Sequence, residues 1–456
     1  MKKSRFLCLF LTLILIISLC TPFADAYQSD IVDSMSVEAK AALLIDMDTD
    51  YVMFDYNADQ KVYPASITKV VTAMLVLEAI HNGDLSLQDQ ITAGPTAWQG
   101  LDKTSSNQNI QVGETMSVED LLYCLMVASA NEAANILAVA VAGSIEDFVD
   151  LMNAKAEALG CTATHFNNPD GMPDNNHYTT CNDLYLIAKA AMQDSTFRTI
   201  VNTAEYYVEP TNMTESRRHF FNTNGLLSNK KYNGYYYEYC NGIKTGSTDE
   251  AGYCLMSSAQ YHGQTLICIM MGCENPTGDS GEVQRLQFSQ SSMLFEWGFR
   301  NFSVHTILDA TAPVAEVPVK LSSECDYVSV IINGTLEAQL PNDITAENFT
   351  WTTNLPDSID APVSAGDKIG TLDVSLDGEI YGTVDLIAVN DVSRSDVLYA
   401  KSLVINFLQT WKYLLCTAAI LILILIIFIR IKISRRRRNR YSRKNRGPLY
   451  SYKGRK

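Results

Sequence analysis

The chain has 456 residues, 47% of them hydrophobic, and a formal net charge of −16. That charge is unevenly placed: the segment from Arg430 onward holds 13 Lys and Arg and no acid, whereas Tyr27 to Ile429 holds 19 basic and 50 acidic residues. A body with that excess of acid is excluded as a nucleic-acid binder and is repelled by anionic membranes and wall polymers.

Lys2, Lys3 and Arg5, the apolar run Phe6 to Leu19, and Ala24-Asp25-Ala26 form a secretory signal over residues 1–26. The remaining outer region is long enough for two domains. Ala41 to Ile45 and Tyr51 to Phe54 flank Asp48-Thr49-Asp50, which predicts a hairpin. Pro64-Ala65-Ser66-Ile67-Thr68-Lys69 then runs into an apolar stretch ending at Leu77, with Gly83 soon after. This predicts a central helix from near Ser66 to near Asn82, packed on every side. Ser117 with Asp120 starts a second helix, whose pattern encloses Ser129-Ala130-Asn131. Ser144 with Asp147 starts a third helix, stopped by Gly160, and Thr180 with Asp183 a fourth. Strand-like runs follow at Tyr253 to Ser257 and Thr265 to Met271, and a closing helix at Gln284 to Trp297. This order fits an α/β (α+β) domain over 27–303, an antiparallel sheet flanked by helices.

From Val304 to Val392 short β-branched runs alternate with Gly, Pro, Asn and Asp, which predicts a small all-β domain over 304–392. Residues 393–412 link it to a second apolar segment. Tyr413 to Ile429 is uncharged, with Trp411 and Tyr413 at one edge and Arg430 at the other. It reads as a transmembrane helix over 413–433, followed by a basic cytoplasmic tail over 434–456. Eight cysteines remain outside the signal and the span, an even number that permits disulfides; the sequence leaves bridged and free thiols open. Their spacing shows no metal pattern.

Ser66 and Lys69, three residues apart, share one face of a first helical turn. A Lys there is disfavoured by the helix dipole and by desolvation, and both effects lower its pKa. Such an amine can take the proton of the adjacent hydroxyl, while free backbone N–H groups at the helix start can hold an oxyanion. Ser129, Asn131 and Glu132 are polar breaks in an apolar run, a local inconsistency of the kind found at functional sites. Lys244-Thr245-Gly246 precedes a strand; Gly246 admits close approach of another backbone, and Lys244 and Thr245 can bind a carboxylate.

Ser-x-x-Lys, Ser-x-Asn and Lys-Thr-Gly in this order are the signature of penicillin-interacting serine enzymes. Together with Met152-Asn-Ala-Lys155, His165-Phe-Asn-Asn-Pro-Asp-Gly171 and His177-Tyr-Thr-Thr180, they make the chain resemble the serine D-alanyl-D-alanine carboxypeptidases. These are low-molecular-mass penicillin-binding proteins that trim peptidoglycan stem peptides. The resemblance covers about Val37 to Gly298, and the β module resembles that family's second domain. It implies a β-lactamase/DD-peptidase-like fold, with Ser66 as nucleophile, Lys69 as proton acceptor and Ser129 as proton relay to the departing D-alanine. Asn131 is implied to bind the substrate amide, Lys244 and Thr245 the terminal carboxylate, with Gly246 and Ser247 also substrate-binding. The oxyanion hole is implied at the N–H groups of Ser66 and Ser247. No metal or cofactor is implied. The implied partners are the D-Ala-D-Ala end of the stem peptide, β-lactams as inhibitors, and the cytoplasmic membrane. The implied location is the outer face of that membrane, in a bacterium of Gram-positive type.

Two departures from the family pattern stand out. Ser247 occupies a position where a larger residue is expected, which bears on substrate preference and acylation rate. The C-terminal end reads as a full membrane span, where the family's usual anchor is an amphipathic helix lying on the surface. Two other readings fit the same motifs. One is an acylated sensor that does not turn over, against which stands the short cytoplasmic tail. The other is a β-lactamase, against which stands the lack of a recognisable added Glu for deacylation.

Overall fold

The computed structural model describes residues 35–444 apart from 102–104, 279–280, 310–311 and 377. The expected signal and the last residues of the basic tail lie outside the described residues. The chain divides into two compact units. One ends at His305 and includes Glu337–Thr345; the other comprises Thr306–Leu336 and the chain from Ala346 onward.

In the first unit, strands β1 (Ala41–Asp46) and β2 (Val52–Tyr56) form the expected hairpin. Strands β3 (Cys240–Thr248), β4 (Gly252–Tyr261) and β5 (Gln264–Cys273) complete an antiparallel sheet in the order β2-β1-β5-β4-β3. All six residues of β1 are buried. Successive side chains of a strand point to opposite faces. Ala41, Leu43 and Ile45 accordingly enter one core, and Ala42 and Leu44 the other. A strand buried on both faces reads as a continuous apolar run, as Ala-Ala-Leu-Leu-Ile does.

The first core holds the central helix α1 (Lys69–Asn82), entered through a tight turn at Ala65–Thr68 and ended by Gly83 at φ 83°. Gly is favoured there because a left-handed cap would strain a side-chain-bearing residue. Around α1 pack α2 (Val118–Met126), α3 (Asn131–Ala142), α4 (Ile145–Ala158) and α5 (Cys181–Ala191). The three starts expected at Ser117, Ser144 and Thr180 are capped. Ser117 Oγ accepts from the Asp120 N–H at 3.0 Å, Ser144 Oγ from Asp147 at 3.0 Å, and Thr180 Oγ1 from Asp183 at 3.1 Å. The second core lies under α6 (Leu286–Asn301), where Gly298 lets the helix approach closely: a Cβ there would sit 2.8 Å from Leu44 Cδ2.

One expectation is corrected. Ser129-Ala130-Asn131 does not lie inside a helix. α2 stops at Met126, and α3 begins at Asn131. The break is at Ser129, which has φ 64°, a conformation no α-helix contains. Apolar residues on both sides, with no Gly or Pro, hide it in the sequence.

The second unit is β-rich as expected. It carries a six-stranded sheet in the order Phe349–Asn354, Lys368–Leu376, Glu379–Ala388, Tyr327–Ile332, Ala315–Lys320, Ile359–Asp360. Val328, Val330 and Ile332 alternate inward. A final helix, α7 (Asp396–Lys444), includes a stretch long and apolar enough to cross a bilayer. It begins within the segment expected as a linker. The eight outer cysteines are free thiols, and all but Cys325 are buried.

Candidate active site

Three stretches distant in sequence meet at the start of α1. The turn at Ala65–Thr68 presents Ser66, and Ala65 takes φ 48° to do so. The approach of the neighbouring backbones requires glycine twice. A Cβ on Gly171 would lie 1.9 Å from the Ala65 carbonyl oxygen, and one on Gly246 2.9 Å from the Pro64 carbonyl oxygen and 3.1 Å from the Ser66 nitrogen. Strand β3 and the 165–172 loop thus clasp the turn from two directions. Positive φ in a non-glycine residue is uncommon and persists only where its surroundings impose it. Here it occurs at Ala65 and at Ser129, on two of the elements that meet.

Lys69 Nζ lies 2.8 Å from Ser66 Oγ, 2.6 Å from Asn131 Oδ1 and 2.6 Å from the Asp170 carbonyl oxygen, with no exposure to solvent. A neutral amine has two N–H donors and one lone pair. Asn131 Oδ1 and the Asp170 carbonyl can only accept and take the two donors. The lone pair then faces the one partner that can give it a proton, the Ser66 hydroxyl. Burial lowers the Lys69 amine to about 8, although the carboxylates of Asp170 and Glu132 pull the other way.

Lys244 Nζ, on β3, donates to Ser129 Oγ at 2.9 Å and to the Thr245 carbonyl at 3.1 Å. It is 1% exposed. Burial, and then the ammonium groups of Lys69 and Lys231, push it well below the ordinary lysine range. Thr245 is half-buried and donates to Thr223 Oγ1 at 2.6 Å; Ser247, on the same strand, is exposed. Direct bonds thus join Ser66, Lys69 and Asn131, and Ser129 with Lys244, while Gly246 packs against the Ser66 turn; Thr245 and Ser247 flank Gly246 on β3. Two bonds are additional to the expected roles: Asn131 is engaged with Lys69, and Lys244 with Ser129.

The sequence marks 165–171 and 177–180 through the resemblance but assigns them no place in the site, and it misses Thr72 and Thr223. Thr72 Oγ1 donates to the Pro169 carbonyl at 2.6 Å, and Asn168 Oδ1 accepts from the Gly171 N–H at 2.7 Å. His177 Nδ1 accepts from the Asn167 N–H at 3.1 Å, which leaves Nε2–H to donate to Thr68 Oγ1 at 2.8 Å. Burial holds that imidazole neutral, lowering it to about 4. The turn chemistry of Asn168-Pro169-Asp170-Gly171 was the available signal. Thr223 had none. Among the described residues no group of three or more His, Cys, Asp and Glu could hold a metal ion.

The geometry is that of a serine nucleophile with an amine base and a second Ser–Lys pair beside it. Comparison with known proteins agrees. Residues 28–275 match the family model for D-alanyl-D-alanine carboxypeptidase, and residues 302–394 the C-terminal domain of penicillin-binding protein 5. The D-alanyl-D-alanine carboxypeptidase DacC of Escherichia coli is 31% identical over 373 residues, covering 80% of this chain and 86% of that protein. DacF of Bacillus subtilis is 29% identical over 365 residues, covering 78% and 87%. The crystal structure of penicillin-binding protein 5 from Haemophilus influenzae superposes with a TM-score of 0.59 at 27% identity, covering 79% of this chain and 99% of that one. The chain belongs to the D-alanyl-D-alanine carboxypeptidase family.

Proposed function

We propose that this protein is a serine carboxypeptidase that removes the terminal D-alanine from peptidoglycan stem peptides. The observation that carries the reading is the 2.8 Å contact between Ser66 Oγ and the buried Lys69 amine. Lys69 takes the hydroxyl proton as Ser66 Oγ bonds to the carbonyl carbon between the two D-alanines. Charge forms on the carbonyl oxygen, and the N–H groups of Ser66 and Ser247 are the donors for it. Ser129 passes a proton to the amine of the departing D-alanine. Lys244 holds Ser129 oriented for this, and its positive charge, with the Thr245 hydroxyl, favours a substrate ending in a carboxylate. Asn131 bonds the substrate amide. Water then attacks the acyl-enzyme, with Lys69 as base. A β-lactam presents the same carbonyl and carboxylate and acylates Ser66.

The domain assignment follows the same reading. A catalytic domain over 27–303 and a β domain over 304–392 stand outside the cytoplasmic membrane, and the apolar part of α7 anchors them. The basic residues beyond that part stay inside. This places the enzyme in cell wall biogenesis.

The test is release of D-alanine from an acyl-D-Ala-D-Ala peptide by the full chain in detergent, beside Ser66→Ala. Release by the wild type and none by the variant is the expected result. Stoichiometric penicillin labelling with no D-alanine release would replace the reading with a sensor. Rapid repeated penicillin turnover would replace it with a β-lactamase.

A further inference from the structure

Glu132 follows Asn131 on the first turn of α3 and has no exposure to solvent. Its Oε1 accepts two backbone N–H bonds, from Gln108 at 2.6 Å and from Ile110 at 3.2 Å. Together with the Asn131 N–H, which donates to the Ser106 carbonyl at 2.9 Å, these bonds clasp the 106–110 segment onto the start of α3. The clasp uses one oxygen only. Oε2 is buried and has no hydrogen-bond partner among the described residues. An amide would still accept from both N–H groups through its own oxygen, more weakly, and would place an unpartnered NH2 where Oε2 lies. The clasp therefore requires an acceptor but not a charge.

What the ionised carboxylate adds is a charge that acts on the Lys69 amine, while burial pushes the Glu132 carboxyl above the usual carboxylate range and the Lys69 charge draws it back. Asn131, its neighbour in sequence, is the residue whose Oδ1 touches Lys69 Nζ. The charged groups acting on Lys69 come from each element around it. Glu132 stands on α3, Asp170 on the 165–172 loop and Lys244 on β3, and the neutral, buried His177 ring bonds Asn167 of that loop and Thr68. Asp170 spends Oδ1 on the Met172 N–H at 2.8 Å. Both carboxylates favour the ammonium form of Lys69, against burial. We propose that Glu132 is a positioning residue with two separable jobs: Oε1 clasps the 106–110 segment, and the charge on the carboxylate serves, beside that of Asp170, as an internal counter-ion of the Lys69 ammonium that forms when Ser66 attacks. This rests on the proposed serine–lysine chemistry, since it concerns the proton that chemistry moves.

Glu132→Gln separates the two jobs, keeping the acceptor and removing the charge. The measurement is the titration of Lys69, followed by the 13Cε shift in the full chain labelled on lysine, in detergent, with Lys69→Arg for assignment. The expected result is a midpoint lower by about one pH unit in Glu132→Gln, because the ammonium loses a nearby opposite charge. The low-pH limb of penicillin acylation shifts the same way. A purely structural Glu132 leaves both midpoints in place in a folded variant, and that result overturns the proposal. Where Glu132→Gln does not fold, the carboxyl 13C signal of Glu132 in the wild type decides. A carboxyl group still neutral at pH 8 overturns the proposal, and one ionised below the Lys69 midpoint upholds it. The lysine titration needs no turnover, so a protein that shows the shift but is never acylated by penicillin upholds the role of Glu132 and sinks the carboxypeptidase reading instead.

Discussion

Lys244 reaches from β3 to donate to Ser129 Oγ at 2.9 Å, which ties the third sequence motif to the second. The bond uses a lone pair of Ser129 Oγ and leaves its proton free to point away from Lys244. Replacing Lys244 by Met keeps the length and apolar stem and removes the donor. Acylation by penicillin is expected to fall by about 10²–10³, the usual effect of deleting one preorganised donor. Circular dichroism and the thermal midpoint should stay close to wild type, because an isosteric apolar group replaces a buried charge. Unchanged acylation in Lys244→Met would remove Lys244 from the mechanism.

The amine of Lys69 titrates at about 8, and only its neutral form can take the Ser66 proton. The acylation rate constant is therefore expected to rise about tenfold per pH unit below 8 and to level off above it. Stopped-flow acylation between pH 5 and 9 checks this. A profile flat from 5 to 9 would show that Lys69 is not the base.

Gly171 and Gly246 make the close approaches that set the nucleophile turn. Gly171→Ala meets the Ala65 carbonyl and is also strained at φ 89°. It is expected to cost about 2–4 kcal/mol of stability and to abolish acylation. Gly246→Ala has contacts of 2.9–3.1 Å and an ordinary backbone, so it should fold and lose rate first. Urea denaturation beside acylation kinetics separates the two effects. The reverse order would mean that β3 gives way more easily than the 165–172 loop.

His177 is neutral when folded, titrating at about 4 against an ordinary value of 6.5. The unfolded chain therefore binds the proton more readily. The contribution is fully present above pH 6.5 and is lost as pH falls toward 4, by roughly 3 kcal/mol. Stability measured from pH 7 to 4 should fall less steeply in His177→Gln than in the wild type. Parallel slopes would show that other groups govern the acid limb.

Much of this arrangement is written locally. The Ser117, Ser144 and Thr180 caps mark three helix starts because each signal is a single residue bonding three places on. β1 and α1 are legible because continuous apolar runs need burial on all sides. The residues that bear the chemistry were also visible, since Lys69, Ser129 and Glu132 are polar where the pattern asks for apolar. What was hidden depends on distant contact. The helix break at Ser129 is imposed by packing and by Lys244, 115 residues away. Thr223 bonds Thr245 across 22 residues from a stretch with no periodicity of its own. The bonding of Lys244 to Ser129 could not be read from either motif alone.

The sheet order β2-β1-β5-β4-β3 has a temporal side. The hairpin that leads to Ser66 is made early, yet β5, its neighbour in the sheet, and β3, which confines the turn through Gly246, are made some 170 to 200 residues later. A chain emerging from its N-terminus thus lacks the β3 contact that confines the Ser66 turn until most of the domain has been delivered. The turn that presents Ser66 is therefore completed by strands from the far end of the domain, and its geometry belongs to the finished sheet.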